Sequence, residues 1–229
     1  MPQRTTPYGF QFLFLTLVSL IVTPPYLEML GVRGVSWAIL AVVLLASLYL
    51  VANNRKQLFV GVVLAVPTLG LNLSREVLGH SETFYFSMVM SIVFLVYIEI
   101  FLLRFFLLKQ RVTQDMIFAA LCAYIIMGVI FSFIFICIES LVPGSFIISA
   151  TGEPPVDLGK FSYFSFVTLT TLGYGDISPV NDFGRGWVTL EAILGQFYIA
   201  VVLARIVGLY TAAQTREADR VESGEREER

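Results

Sequence analysis

Six long apolar runs limit what this chain can fold into. A helix needs about 20 consecutive apolar residues to cross the hydrocarbon core of a bilayer. Only 14% of the 229 residues are charged, whereas soluble domains carry about 25%. We therefore predict an all-α membrane protein with six transmembrane helices. They are expected over residues 10–27, 34–52, 57–73 (broken at Pro67), 84–108, 116–142 and 187–209.

A seventh apolar piece, residues 161–172, is too short to cross a bilayer. It leads into the sequence TTLGYGD, which occupies residues 170–176. Irregular backbone is tolerated at membrane depth only where it is buried in protein or lines a cavity. The pattern predicts a re-entrant helix followed by a segment that lines such a cavity.

The glycine spacing in this segment points to exposed backbone carbonyls. Gly173 and Gly175 flank Tyr174, and glycine adopts positive φ at little steric cost. Alternating glycines can therefore turn successive carbonyls to one side. The carbonyls of Thr171, Leu172, Gly173 and Tyr174, with the Thr171 hydroxyl, would form a stack of oxygens able to replace the water shell of a cation. A glycine-rich turn between two helices is the simpler alternative, but it needs no pair of threonines before it.

The stretch resembles the potassium-channel signature usually written TVGYGD, with Leu172 in place of valine. The likeness extends over about residues 112–211 to the pore domain of tetrameric potassium channels. It implies a homotetrameric pore, with potassium sites at the carbonyls of residues 171–174 and with Gly175 as part of the filter. It also implies a gating hinge at Gly195, which follows Asp176 at the spacing of simple members of the family.

The family resemblance also predicts which residues support the filter, namely Thr170, Asp176 and Tyr163. Many members place two tryptophans on the pore helix, one of which donates to the filter aspartate. Tyr163 and Phe164 stand at those positions here, and of the two only tyrosine can donate. Some members place a glutamate behind the filter, where this chain has Val167.

Two charged residues in the last apolar run are functional candidates, because intramembrane charges are costly. Glu191 is predicted either to lie near the cavity and attract cations or to pin the inner helix to the pore helix. Arg205 is predicted either to reach the lipid headgroups or to make a gate contact. Glu99, in the fourth run, is expected to pair with another helix.

The chain divides into three predicted parts: a four-helix domain (1–109), a pore domain (110–212) and a charged cytoplasmic tail (213–229). Basic residues concentrate on cytoplasmic sides of membrane proteins, which predicts cytoplasmic N- and C-termini and a multi-pass protein of the cell membrane. The residues that give this orientation are Arg4, Arg55, Lys56, Arg104, Lys109 and Arg111.

These features predict a potassium-selective channel that conducts passively and is not an enzyme. It would need no cofactor besides permeant potassium, no nucleic acid and no soluble ligand domain, and its partners would be the bilayer and its own copies. A potassium transporter or uptake subunit, and a nonselective cation channel, are the alternatives. Strong voltage gating is not expected, because the run 84–108 contains a single basic residue, Arg104, and steep gating takes about 3–4 charges per subunit.

Overall fold

The computed structural model describes residues 8–29, 35–52, 54–78, 84–155 and 157–227. Each of the six predicted spans coincides with a helix, and several helices extend beyond the predicted bounds. Residues 52 and 142 and the end of the short run, residues 170–172, lie outside their helices, and residue 34 lies outside the described residues. The elements in chain order are α1 (Gly9–Met29), α2 (Val35–Val51), α3 (Arg55–Leu78), α4 (Phe84–Leu108), α5 (Gln114–Leu141), β1 (Phe146–Ile148), α6 (Leu158–Leu169), β2 (Ile177–Pro179) and α7 (Asp182–Glu227).

Four of the described helices have the length and apolar composition needed to cross a membrane. They correspond to residues 55–74, 85–108, 114–141 and 182–215. The apolar parts of α1 and α2 are shorter, over residues 9–23 and 38–51. Four of the six predicted spans therefore meet the length requirement, and the total of six stays a prediction.

Helix α5 lies at the centre of the molecule. It packs against α1, α4, α6 and α7, and 67% of its apolar span is buried. The phenylalanines Phe131, Phe133 and Phe135 all face this core, so they are packing residues and not a lipid surface. By contrast, only 6% of the apolar span of α7 is buried within the chain, which leaves most of that helix without a neighbour.

A short antiparallel sheet corrects the all-α prediction. Strands β1 and β2 pair Phe146 with Pro179 and Ile148 with Ile177. Aromatic and β-branched residues favour this extended conformation, but strands of three residues are too short to give a periodic signal. The sheet matters for function because β2 begins directly after Asp176 and so fixes the chain that leaves the glycine segment.

Two helices continue where the sequence predicted a break or a boundary. Helix α3 passes through Pro67 without interruption, since membrane helices tolerate proline where neighbouring groups satisfy the freed backbone. Beside it, the Thr68 hydroxyl donates to the carbonyl of Leu64 at 2.7 Å. Helix α7 continues as one helix past residue 212 to Glu227.

Candidate functional site

The short helix α6 is held between α5 and α7 by two close contacts at glycines. A Cβ on Gly128 would lie 2.5 Å from the ring of Phe166, and a Cβ on Gly195 would lie 2.6 Å from the carbonyl oxygen of Leu169. Both distances are well inside van der Waals contact, so only glycine allows this approach. The N-terminus of α6 is capped by Asp157, whose carboxylate accepts the Lys160 amide at 2.8 Å.

A cluster of four phenylalanines packs around the N-terminal half of α6. Their ring centroids lie 5.3–5.6 Å apart in tilted and edge-to-face pairs, the geometry that aromatic pairs prefer. Phe164 is one of them, so this position, where the family resemblance suggested a tryptophan, serves here as apolar packing. The members of this cluster are Phe135, Phe146, Phe161 and Phe164.

The backbone after α6 alternates in the sign of φ. Thr171, Gly173 and Gly175 have φ of 59°, 54° and 75°, and neither Leu172 nor Tyr174 between them has positive φ. Such alternation can turn successive peptide groups the same way. The two glycines were predicted to behave like this, whereas Thr171 was not. A β-branched residue with positive φ is an outlier that costs on the order of 1–3 kcal/mol, and strain of this kind concentrates at functional sites.

The amides and carbonyls of this segment are used differently. The N–H groups of Leu172 and Gly173 both donate to the carbonyl of Val167, at 2.9 and 3.1 Å. In the described part of the chain, no hydrogen bond is accepted by the carbonyls of residues 171–174. Buried backbone carbonyls nearly always have a partner, but residues 171–174 are exposed in the single chain. Their four consecutive carbonyls are therefore a row of acceptors left free for water or an ion.

Two side chains bond the C-terminal end of the row. The Tyr163 hydroxyl donates to the Asp176 carboxylate at 2.8 Å, as the sequence predicted. This hydrogen bond raises the pKa of Tyr163 to about 12. Ser149 was not predicted; its hydroxyl donates to the Gly175 carbonyl at 2.9 Å and its amide to the Asp176 carbonyl at 2.8 Å. The free row therefore ends at Tyr174.

Just before the N-terminal end of the carbonyl row, the hydroxyl of Tyr124 on α5 donates to the Leu169 carbonyl at 3.1 Å. The Thr170 hydroxyl donates to the carbonyl of Phe166 within its own helix at 2.7 Å. Thr170 therefore caps α6 and does not contact Asp176. Tyr124 was not predicted from the sequence, because 45 residues separate it from its acceptor.

The two candidate charges on α7 lie apart from the carbonyl row. Glu191 has no exposed surface and lies 2.5 Å from the Ser165 hydroxyl, on the side of α6 that faces α5 and α7. This position matches the pinning alternative and not the cavity one. Arg205 donates to the main-chain carbonyls at the end of α4, including those of Phe106 at 3.3 Å and Lys109 at 2.9 Å. It is therefore held by protein carbonyls in this chain, and its two predicted roles, a headgroup contact or a gate contact, stay predictions.

The side chains of the row are not covered by the rest of the chain. Leu172 is 55% and Tyr174 is 66% exposed, although both are large and apolar. One chain thus presents one line of carbonyls and one uncovered apolar surface beside it. Gly195 lies within the continuous helix α7 and packs closely against Leu169. A hinge at this glycine stays a prediction.

Comparison with known proteins agrees with this geometry. Residues 119–212 match the family described as "Ion channel". Over 90 residues the chain is 33% identical to "Two pore potassium channel c" of Oryza sativa subsp. japonica. That alignment covers 39% of this chain and 18% of the relative, so the matched part is less than a fifth of that protein.

In the described part of the chain, a short helix and an irregular carbonyl segment lie between two long apolar helices. This arrangement agrees with the match of residues 119–212 to the ion-channel family and with the likeness to a potassium channel that the TLGYGD stretch indicated. Four described helices are long and apolar enough to cross a membrane, and both comparisons point to a channel and not to an enzyme.

Proposed function

We propose that this protein is a potassium-selective channel that conducts passively. The observation that carries the proposal is the row of carbonyls at Thr171, Leu172, Gly173 and Tyr174. The row has alternating φ and no hydrogen bond within the described chain. Carbonyl rings replace the hydration shell of potassium in known filters. The same four carbonyls, with the Thr171 hydroxyl, would bind the permeant ion, and no other cofactor is proposed.

A single line of carbonyls cannot surround an ion, so we propose a homotetramer with the filter on its axis. Soluble homo-oligomers usually have closed rotational symmetry. A channel whose subunits each supply one line of carbonyls also requires a closed ring of subunits around the ion. The exposed Leu172 and Tyr174, and the largely unburied α7, are the surfaces such an assembly would cover. Residues 110–212 would form the pore domain, residues 1–109 a peripheral helical domain and residues 213–229 a tail.

The membrane placement is also a proposal. The distribution of basic residues in the sequence favours cytoplasmic N- and C-termini in the cell membrane. The Tyr163–Asp176 pair would then face the outside and the Arg205 contacts the inside. The bilayer and three further copies of the chain would be its partners, with no nucleic acid involved.

A matched pair of glycine substitutions tests the filter. Gly175 and Gly152 have nearly equal φ, 75° and 71°, and a Cβ at either would meet nothing within 4 Å. Gly175→Ala and Gly152→Ala should therefore carry a similar backbone strain, but only the first lies in the proposed filter. Vesicles containing wild-type protein or Gly152→Ala should take up potassium in preference to sodium down a gradient.

Gly175→Ala should lose that preference or lose flux altogether. Equal flux of potassium and sodium through the wild type would favour the nonselective alternative. Uptake that requires an energy source would favour a transporter. Equal effects of the two substitutions would contradict the assignment of residues 171–175 as the filter.

A further inference from the structure

Glu191 is the one acidic or basic residue that is fully buried among the described side chains. It lies on α7, one turn before Gly195, and faces α6 and α5. In the described part of the chain, each of the two ion pairs joins residues three apart at the start of a helix, Lys160 with Asp157 and Arg185 with Asp182. Glu191 therefore has no cationic partner there, and a buried unpaired carboxylate is very costly.

The contacts of Ser165 show how this cost is avoided. Its hydroxyl oxygen lies 2.7 Å from the Gly128 carbonyl oxygen and 2.5 Å from Oε1 of Glu191. A serine hydroxyl has one proton to donate, and a main-chain carbonyl has none. If Glu191 were ionised, one of the two short oxygen–oxygen contacts would have no hydrogen between its atoms.

Both contacts become hydrogen bonds if Glu191 carries a proton. Ser165 then donates to Gly128, and Glu191 donates to a lone pair on Ser165. The other carboxyl oxygen, Oε2, has no hydrogen-bond partner in the described part of the chain, which a neutral acid tolerates better than a carboxylate. The titratable group that faces Glu191 from α5 is Tyr124, whose proton is already donated to Leu169.

We propose that Glu191 is a neutral carboxylic acid that donates to Ser165 and so positions the pore helix for ion selection. The resulting chain of hydrogen bonds runs from Glu191 on α7 through Ser165 on α6 to the Gly128 carbonyl on α5. Ser165 lies two residues before Val167, whose carbonyl holds the amides of Leu172 and Gly173. Glu191 is thus a positioning residue that acts through Ser165, and its effect on conduction rests on the proposed channel function.

Infrared spectroscopy tests the protonation state without relying on conduction. The full chain is reconstituted in phosphatidylethanolamine–phosphatidylglycerol vesicles at neutral pH. The wild-type minus Glu191→Gln difference spectrum should contain a carboxylic-acid C=O band that shifts in D₂O. A carboxylate band in its place would overturn the proposal. Should Glu191→Gln fail to fold, the spectrum of Glu99→Gln serves, because Glu99 has the other carboxyl with a buried oxygen that lacks a partner in the described part of the chain. An acid band must remain in that variant.

A double-mutant cycle tests the link itself by the thermal stability of the assembled protein. Ser165→Ala leaves the buried acid without an acceptor, so it should be clearly destabilising. Glu191→Met leaves Ser165 bonded to Gly128 and should cost less. The double variant should be more stable than Ser165→Ala alone, since removing both partners leaves no unsatisfied group. Strictly additive losses would overturn the link.

Conduction distinguishes positioning from an attractive charge. Glutamine can donate to Ser165 as the neutral acid does, so Glu191→Gln should keep the wild-type potassium conductance and selectivity. Glu191→Met should reduce selectivity. A drop in conductance in Glu191→Gln that grows at low ionic strength would show a screened charge and overturn the proposal. If wild-type protein does not conduct at all, the channel assignment fails, while the spectroscopic result still decides the state of Glu191.

Discussion

Arg205 on α7 donates a hydrogen bond of 2.9 Å to the main-chain carbonyl of Lys109, one residue past the end of α4. The same guanidinium also bonds the carbonyls of Phe106 and Leu107. The last carbonyls of a helix have no partner within it, and arginine can serve several at once through its planar fork. Arg205 therefore joins α7 to the last turn of α4.

We expect Arg205→Ala to change open probability without changing ion selectivity, because the contact lies far from the filter. Hydrogen bonds to charged groups contribute about 1.5–3 kcal/mol, so the shift in the open–closed equilibrium should be large. Arg205→Lys should be intermediate, since an ammonium cannot replace the fork. Arg185→Ala is the control, because Arg185 lies on the same helix and pairs only with the exposed Asp182 in the described chain. An unaltered open probability in single-channel records of Arg205→Ala would refute this role.

The hydrogen bond from Tyr163 to Asp176 should stabilise the conducting filter. Tyr163→Phe removes the donor, and we expect faster loss of current during sustained opening. Tyr163→Trp, which retains an N–H donor, should restore part of the wild-type behaviour. Tyr49→Phe, at an exposed position on α2, is the control for loss of a phenol. Identical current decay in wild type and Tyr163→Phe, measured in planar bilayers, would show that the bond does not support the filter.

Substitution of Gly195 tests close packing against bending. Gly195→Ala would place a Cβ 2.6 Å from the Leu169 carbonyl, so it should lower stability by about 1–3 kcal/mol through overpacking. Gly208→Ala on the same helix meets nothing within 4 Å and should stabilise by up to about 1 kcal/mol through helix propensity. Thermal unfolding of both variants measures this. If Gly195→Ala is as stable as wild type but the channel opens less often, Gly195 acts as a hinge and not as a packing contact.

The parts of this structure that depend on local sequence could be predicted, and those that depend on distant contacts could not. The helices follow from long apolar runs. The positive φ at Gly173 and Gly175 could be predicted because glycine adopts it at little steric cost. The contact of Tyr163 with Asp176 could be predicted because tyrosine has a hydroxyl that can donate. The positive φ of Thr171 could not be read from the residue type, because threonine disfavours it. The Thr171 amide donates to the Thr168 carbonyl at 2.9 Å, and this hydrogen bond is part of the tight turn that ends α6.

The sequence singled out Glu191 and Arg205 but not the residues that they contact on other helices. Ser165 and Glu191 are 26 residues apart, and Arg205 and Phe106 are 99 apart, so helix packing alone brings them together. The sheet of three-residue strands was missed because its length gives no alternation to detect. The burial of Glu191 and its contact with Ser165 decide between its two predicted roles, and both are properties of the packed structure.

Voltage dependence should be shallow. Arg104 is the one basic residue of α4, and moving one charge through 100 mV yields about 2.3 kcal/mol. We expect a gating charge of about one or less per subunit, measured from the slope of open probability between about −100 and +100 mV. Arg104→Gln should reduce that slope further. A steep sigmoidal curve equivalent to several charges per subunit would require a voltage sensor elsewhere in the chain.

The reversal potential under bi-ionic conditions measures potassium selection by the proposed filter. Purified protein is placed in a planar bilayer with potassium on one side and an equal concentration of sodium on the other. We expect a reversal potential far from zero, with the sign of a potassium-selective pore, and its collapse toward zero in Gly175→Ala. A wild-type reversal potential near zero would contradict potassium selection by the carbonyls of residues 171–174.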